Sequence, residues 1–113
     1  PVEASPFEVD EVIEDSPTLR IGDYRFEIHH VPGHSPDSIS FYLSSKSWLF
    51  AGDSLFNGSI GRTDLPGGNH EQLLDSIRQK LYSLPDETAV FPGHGPRTSI
   101  GEEKKTNPFC PNT

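Results

Sequence analysis

The sequence predicts an α/β domain, a mainly antiparallel or mixed sheet of about six short strands with one main helix. Three observations carry this. Short apolar, β-prone runs alternate with Gly, Pro, Asp and Ser turn signals along most of the chain. One stretch after Asn69 has helical apolar spacing. The tripeptide Pro-Gly-His follows two of the apolar runs, at residues 32–34 and 92–94, and Ala-Gly-Asp at 51–53 closes a third.

Residues 1–8 carry two prolines and no periodicity, which predicts a linker or flexible end. Residues 9–14 alternate apolar and acidic, as an edge strand that discourages pairing with other chains would. Strands are expected at 19–22 and 24–31, joined at Gly22-Asp23, a tight-hairpin dipeptide. Residues 39–43 alternate as a half-buried strand, and 48–51 form a continuous apolar run suited to a strand covered on both faces. From 54 to 68 the chain holds Gly58, Gly61, Pro66, Gly67 and Gly68 and reads as a functional loop.

Asn69 is a good N-cap, and Leu73, Ile77 and Leu81 repeat every fourth residue, so a helix should run to about Leu84, where Pro85 ends it. A last strand is expected at 88–91. Glu102 to Lys105 could start a final helical turn that Asn107-Pro108 stops. The boundaries are thus 1–8 as linker, 9–109 as the folded unit and 110–113 as a tail. For a self-contained α/β domain this is lopsided, with one layer of helix missing.

Composition narrows the function classes. The chain has 113 residues, 32% of them hydrophobic, with 10 Gly and 11 Pro spread between apolar runs, which implies a folded, loop-rich domain. Nine basic against seventeen acidic residues leave a net charge of −8, which repels phosphate backbones and argues against nucleic acid as a partner. The single cysteine, Cys110, cannot form an intrachain disulfide and reads as a thiol near a loose end. No apolar run approaches the roughly 20 residues of a membrane helix and no signal peptide opens the chain, so a soluble cytoplasmic protein without membrane contact is expected. The absence of Met, with Pro1 at the start, suggests a sequence that begins partway through a longer protein.

The chemistry gathers at three strand ends. A metal at neutral pH takes neutral imidazoles and an ionised carboxylate, and glycine beside each ligand lets the backbone turn sharply. His34, Asp53 and His94 meet that demand as candidate ligands of one metal. Catalytic zinc takes three protein ligands and a water whose pKa falls to about 7, which points to hydrolysis. A lone Pro-Gly-His is ordinary turn chemistry; its duplication around a Gly-Asp is what singles it out. His29 and His30 point to opposite strand faces, so at most one can approach, and His30 is the better candidate to orient a ligand from behind. His70 is expected at the surface. No Gly-x-Ser-x-Gly elbow and no Gly-Lys-Ser/Thr phosphate cradle occur.

Taken together, Val-Pro-Gly-His-Ser-Pro at 31–36, Leu-Phe-Ala-Gly-Asp-Ser-Leu-Phe at 49–56, Gly-Arg-Thr-Asp at 61–64, Phe-Pro-Gly-His-Gly-Pro at 91–96 and Thr-Asn-Pro-Phe at 106–109 resemble the second half of a metallo-β-lactamase superfamily hydrolase, in its glyoxalase II-like (hydroxyacylglutathione hydrolase-like) branch. The resemblance spans residues 9–109. It implies half of an αββα sandwich, with His34 completing one metal site, His94 the other, and Asp53 as the catalytic carboxylate bridging two divalent metals, zinc first, iron or manganese otherwise.

The family's remaining ligands come from a His-x-His-x-Asp-His motif that this sequence lacks, which implies a fragment with partial or weak metal occupancy. Arg62 matches the cation that binds the glutathione moiety of a small-molecule thioester such as S-lactoylglutathione. Asp64 departs from the aromatic residue common there, and Asp37 stands where glycine is usual. Two other readings follow: a non-catalytic half-domain that self-associates or complements the missing N-terminal half, and a persulfide dioxygenase-like mono-iron protein, in which Gly-Arg-Thr-Asp also occurs.

Overall fold

The computed structural model describes residues 8–11 and 18–111; of the linker expected at 1–8 and the edge strand expected at 9–14, residues 1–7 and 12–14 lie outside them, and Glu8 opens a strand. All six expected strands are present: β1 (Glu8–Glu11), β2 (Thr18–Ile21), β3 (Tyr24–His30), β4 (Ile39–Leu43), β5 (Trp48–Gly52) and β8 (Ala89–Pro92). Three two-residue strands were not expected: β6 (Leu55–Phe56), β7 (Ser59–Ile60) and β9 (Thr98–Ser99). The main sheet has seven strands in the order β1-β2-β3-β4-β5-β8-β9, with β6 and β7 as a separate hairpin. Every pairing in the main sheet is antiparallel except β5 with β8, which is parallel.

The parallel pair needs a crossover, which the expected helix supplies. Helix α1 (His70–Ser76) starts at Asn69, whose side chain accepts from the Gln72 N–H at 3.0 Å. Beyond Ser76 the helix widens into a π-turn over Ile77–Leu81, where Tyr82 N–H bonds the Ile77 carbonyl at 2.8 Å. Leu73, Ile77 and Leu81 are fully buried, against Leu49, Ala51 and Val90 of the central strands. The final turn anticipated at Glu102 is a full second helix, α2 (Ile100–Thr106). Its cap is Ser99, whose Oγ accepts from Glu102 N–H at 3.1 Å, so Ser99 and Glu102 were a readable start signal.

Both described helices pack on one sheet face. Period-two alternation sends Leu19, Ile21, Phe26, Phe41 and Phe50 to the other, where they line an apolar cavity of about 230 Å³. Phe50 stacks on Phe91 with ring centroids 5.3 Å apart, and Trp48 meets Phe91 edge-on at 5.6 Å. This is the one-sided layering expected of half a sandwich. Among the described residues no helix is long and apolar enough to cross a membrane.

Cys110 corrects the expected tail. It is fully buried, in the same core cluster as Leu73 and Ile77. The π-turn keeps Leu81 and Tyr82 both on the buried side, so the Tyr82 hydroxyl reaches inward and donates to the Cys110 carbonyl at 2.7 Å. Arg78 adds bonds to the Pro111 carbonyl at 3.3 and 3.4 Å. Burial pushes the Cys110 thiol and the Tyr82 phenol above their ordinary pKa values. Because both native-state values are raised, the unfolded chain loses these protons first as pH rises. The stabilisation is complete below the unfolded thiol value of about 8.5 and is lost above it. Urea denaturation should therefore show falling stability from about pH 8.5 upward, and Cys110→Ser should flatten the first part of that fall.

Candidate metal centre

Asp53 sits where β5 ends. Ser54 Oγ and Ser40 Oγ both donate to the Ala51 carbonyl, at 2.8 and 3.2 Å, and the two buried hydroxyls fasten the turn that presents the carboxylate. His94 follows β8, and the parallel register that pairs Gly52 with Pro92 brings it alongside. Gly93 N–H donates to the Gly52 carbonyl at 2.8 Å, locking the two strand ends together. A Cβ at Gly93 would stand 3.0 Å from Asp53 Oδ1, and one at Gly61 would overlap the Asp53 carbonyl oxygen. Close approach therefore requires glycine at 61, whereas at 93 a side chain would press Asp53 and Gly52 aside by a few tenths of an ångström.

His34 arrives from the loop after β3. That loop rests on α1 at both its ends: the N-cap Asn69 N–H donates to the Gly33 carbonyl at 2.7 Å and Ser76 Oγ, on the last residue of the helix, to the Pro32 carbonyl at 2.9 Å. His34 Nδ1 lies 2.8 Å from the Arg62 carbonyl. A carbonyl only accepts, so Nδ1 carries the proton and the Nε2 lone pair is left free. Nε2 faces Asp53 Oδ2 at 3.8 Å, while His94 Nε2 faces the other oxygen, Oδ1, at 3.4 Å.

The three expected ligands thus assemble as two pairs sharing one carboxylate. No group of three or more His, Cys, Asp or Glu gathers closely enough to hold a single ion among the described residues. The donor chemistry fits a metal on each side of Asp53, where one imidazole and one carboxylate oxygen could serve as donors. His34, Asp53, Phe56, Ile60, Gly61, Arg62 and His94 line a cavity of about 290 Å³ at this point.

Arg62 reaches the rim, but its guanidinium is engaged. Nε and Nη2 donate to the two carboxylate oxygens of Asp64 at 2.8 and 3.0 Å, a bidentate fork. Hydrogen bonding to Arg62 lowers the Asp64 pKa and that to Asp64 raises the Arg62 pKa. His30 donates from Nε2 to the Pro36 carbonyl at 2.7 Å, so it braces the loop that carries His34 and opens onto a different cavity, with Asn69 and Glu71. His29 turns toward Glu27, and His70 is exposed at the start of α1.

The β6–β7 hairpin was missed in the sequence. Its Phe56 ring lies 5.8 Å from that of His94 and walls the cavity. The signal was Asn57-Gly58 between apolar flanks, a strong two-residue hairpin turn.

A family model described as the metallo-beta-lactamase superfamily matches residues 1–94. The hydroxyacylglutathione hydrolase GloC of Haemophilus influenzae is 47% identical over 96 residues, which are 85% of this chain and 45% of that protein. Among solved structures, the BLEG-1 B3 metallo-beta-lactamase is 50% identical, with a TM-score of 0.81 over 88% of this chain and 48% of that one. TTHA1623, crystallised in a di-iron-bound form, is 51% identical with a TM-score of 0.72, over 74% of this chain and 42% of that one. The chain spans about half the length of the curated relatives it matches.

Because Gly61 stands directly against the Asp53 carbonyl, Gly61→Ala should displace the Asp53 turn and lower stability by about 1–3 kcal/mol, the usual cost of overpacking. Urea denaturation measures the loss, and an unchanged midpoint would contradict the close packing described.

Proposed function

The chain belongs to the metallo-beta-lactamase superfamily, and from that premise we propose that it supplies half of the dinuclear metal site of a hydrolase acting on a small thioester of the S-lactoylglutathione type. The observation that carries the reading is Asp53, with one oxygen toward His34 and the other toward His94. That is how a bridging carboxylate is held. His34 and Asp53 would hold one divalent metal and His94 and Asp53 the other. Zinc suits this N/O donor set, and a relative in a di-iron-bound form keeps iron open. When bound, such metals polarise a carbonyl and lower the pKa of water.

The chain's own residues have distinct tasks. The Arg62 carbonyl fixes the His34 tautomer, so that Nε2 is the coordinating nitrogen. Phe56 and Ile60 form the apolar wall of the cavity beside His94. Arg62 would anchor the anionic end of the substrate, which must displace Asp64 from the fork it occupies. With two protein ligands on each side, occupancy should be weak and turnover by these 113 residues slight.

A second reading, association with another copy or with a covering partner, is favoured by the aromatic sheet face. Trp48 and Ile21 are 39% and 36% exposed there, a contiguous patch of the kind that marks interaction surfaces.

Two measurements decide between these. Titration with zinc, iron(II) and manganese(II) should show weak binding, reduced about 10-fold or more by His34→Ala and again by His94→Ala, since even residues behind a ligand are worth 10- to 100-fold; binding unchanged in both variants would end the metal reading. Equilibrium sedimentation should show a concentration-dependent increase in mass that Phe50→Ser abolishes. A monomer of native stability at every concentration would remove the second reading.

A further inference from the structure

We propose that Glu103 and Asn107 are positioning residues for the metal centre: they clamp the tip of the β6–β7 hairpin, and the arm leaving that hairpin sets the ring of His34. The inference deepens the reading of His34 as a ligand and rests on it. Neither residue touches the site.

Glu103 is fully buried, yet it is an acid. A carboxylate in the interior is strongly destabilising unless its oxygens are satisfied. Here three donors from separate segments converge on it. Gly58 N–H, at the hairpin tip, donates to Oε1 at 3.0 Å, Asn107 Nδ2 to the same oxygen at 2.9 Å, and Thr98 Oγ1 of β9 to Oε2 at 2.5 Å. Asn107, 1% exposed, also donates to the Ser59 carbonyl at 3.0 Å. Its own Oδ1 accepts from the N–H groups of Phe109 and Cys110 at 2.9 and 3.1 Å. Gly58 of the tip and Ser59, the first residue of β7, are thus both bonded to the C-terminal helix region.

From that anchor the chain has little freedom. Ile60 pairs with Leu55, Gly61 N–H donates to the Ser54 carbonyl at 3.0 Å, and the carbonyl of the following residue, Arg62, accepts the hydrogen bond from His34 Nδ1–H. The arm is held at its tip by Glu103 and Asn107 and at its base by the Asp53 turn. A free tip would let the Arg62 carbonyl wander, and histidine in water prefers to carry its proton on Nε2, the nitrogen needed for coordination. The clamp therefore keeps that nitrogen unprotonated.

The test is NMR on the 113-residue chain without metal or substrate, so failure of the clamp is separable from failure of the metal reading. In the wild type at pH about 8, the His34 ring should show the Nδ1–H tautomer, and the Gly58 amide should exchange at least about tenfold more slowly than an unprotected amide. Glu103→Leu should return Gly58 to the unprotected rate and move His34 toward Nε2–H. Glu103→Gln retains Oε1 for Gly58 and Asn107 and can offer its amide to the Thr98 hydroxyl, so it should preserve both signatures. Phe26→Leu, on the far sheet face, should leave the His34 tautomer unchanged and the Gly58 amide protected while the chain stays folded.

Free exchange at Gly58 in the wild type would overturn the proposal, as would a folded Glu103→Leu that retains the Nδ1–H ring. If Glu103→Leu does not fold, the wild-type exchange rate and Glu103→Gln decide, and a folded Glu103→Gln lacking either signature overturns it.

Discussion

The parallel pairing of β5 with β8 is the contact on which the site depends. It sets Gly52 against Pro92 and closes with the hydrogen bond from Gly93 to the Gly52 carbonyl. Asp53 and His94, some forty residues apart in sequence, become neighbours because both strands run the same way and end at the same edge. An antiparallel pairing would send the residues that follow the two strands to opposite ends of the sheet. Helix α1 makes the parallel arrangement possible as its crossover, and its N-cap and its last residue, Ser76, also support the loop of His34. One helix thus serves two of the three ligand positions.

The sheet distributes its residues unequally between its faces. Leu49, Ala51 and Val90 are sealed under α1 and α2, and the opposite face carries Phe26, Phe50, Phe91 and Trp48 in mutual ring contact. Such stacking recovers part of the burial that a covering layer would provide. It also leaves an apolar surface whose energy falls when something packs on it. The proposed metal centre would be incomplete in the same sense: Asp53 has a histidine on each side, and an ion held there would need further ligands.

At the rim, electrostatics works against simple anion capture. Arg62 is the cation of the cavity lining, and the carboxylate two residues on already fills its fork. Both groups are solvent-exposed, so the pair is screened and exchangeable. An incoming carboxylate meets competition that it would not meet from an aromatic residue at position 64. The buried carboxylate of Glu103 behaves differently, because three donors in the interior hold it in one geometry.

Much of this protein was legible from local pattern. Period-two alternation, short apolar runs and turn signals together located the six longer strands, Leu73, Ile77 and Leu81 located the crossover helix, and the doubled Pro-Gly-His with its Gly-Asp marked the strand ends. Residues next to one another in the chain carry those signals, so composition and spacing are enough to read them. The short strands β6, β7 and β9 were lost because two residues are too few to show a period. Cys110, near the end of the sequence, lies in the core because Tyr82, across the π-turn, draws it there. Likewise the roles of Glu103 and Asn107 exist only between segments: their partners at 58, 59 and 98 are set by packing, to which local sequence is blind. The sequence by itself determined which residues could bind metal and which strands would carry them. Only the tertiary structure decided that two histidines divide one carboxylate between them, because strand direction and register, long-range properties of the sheet, choose which oxygen each ring meets.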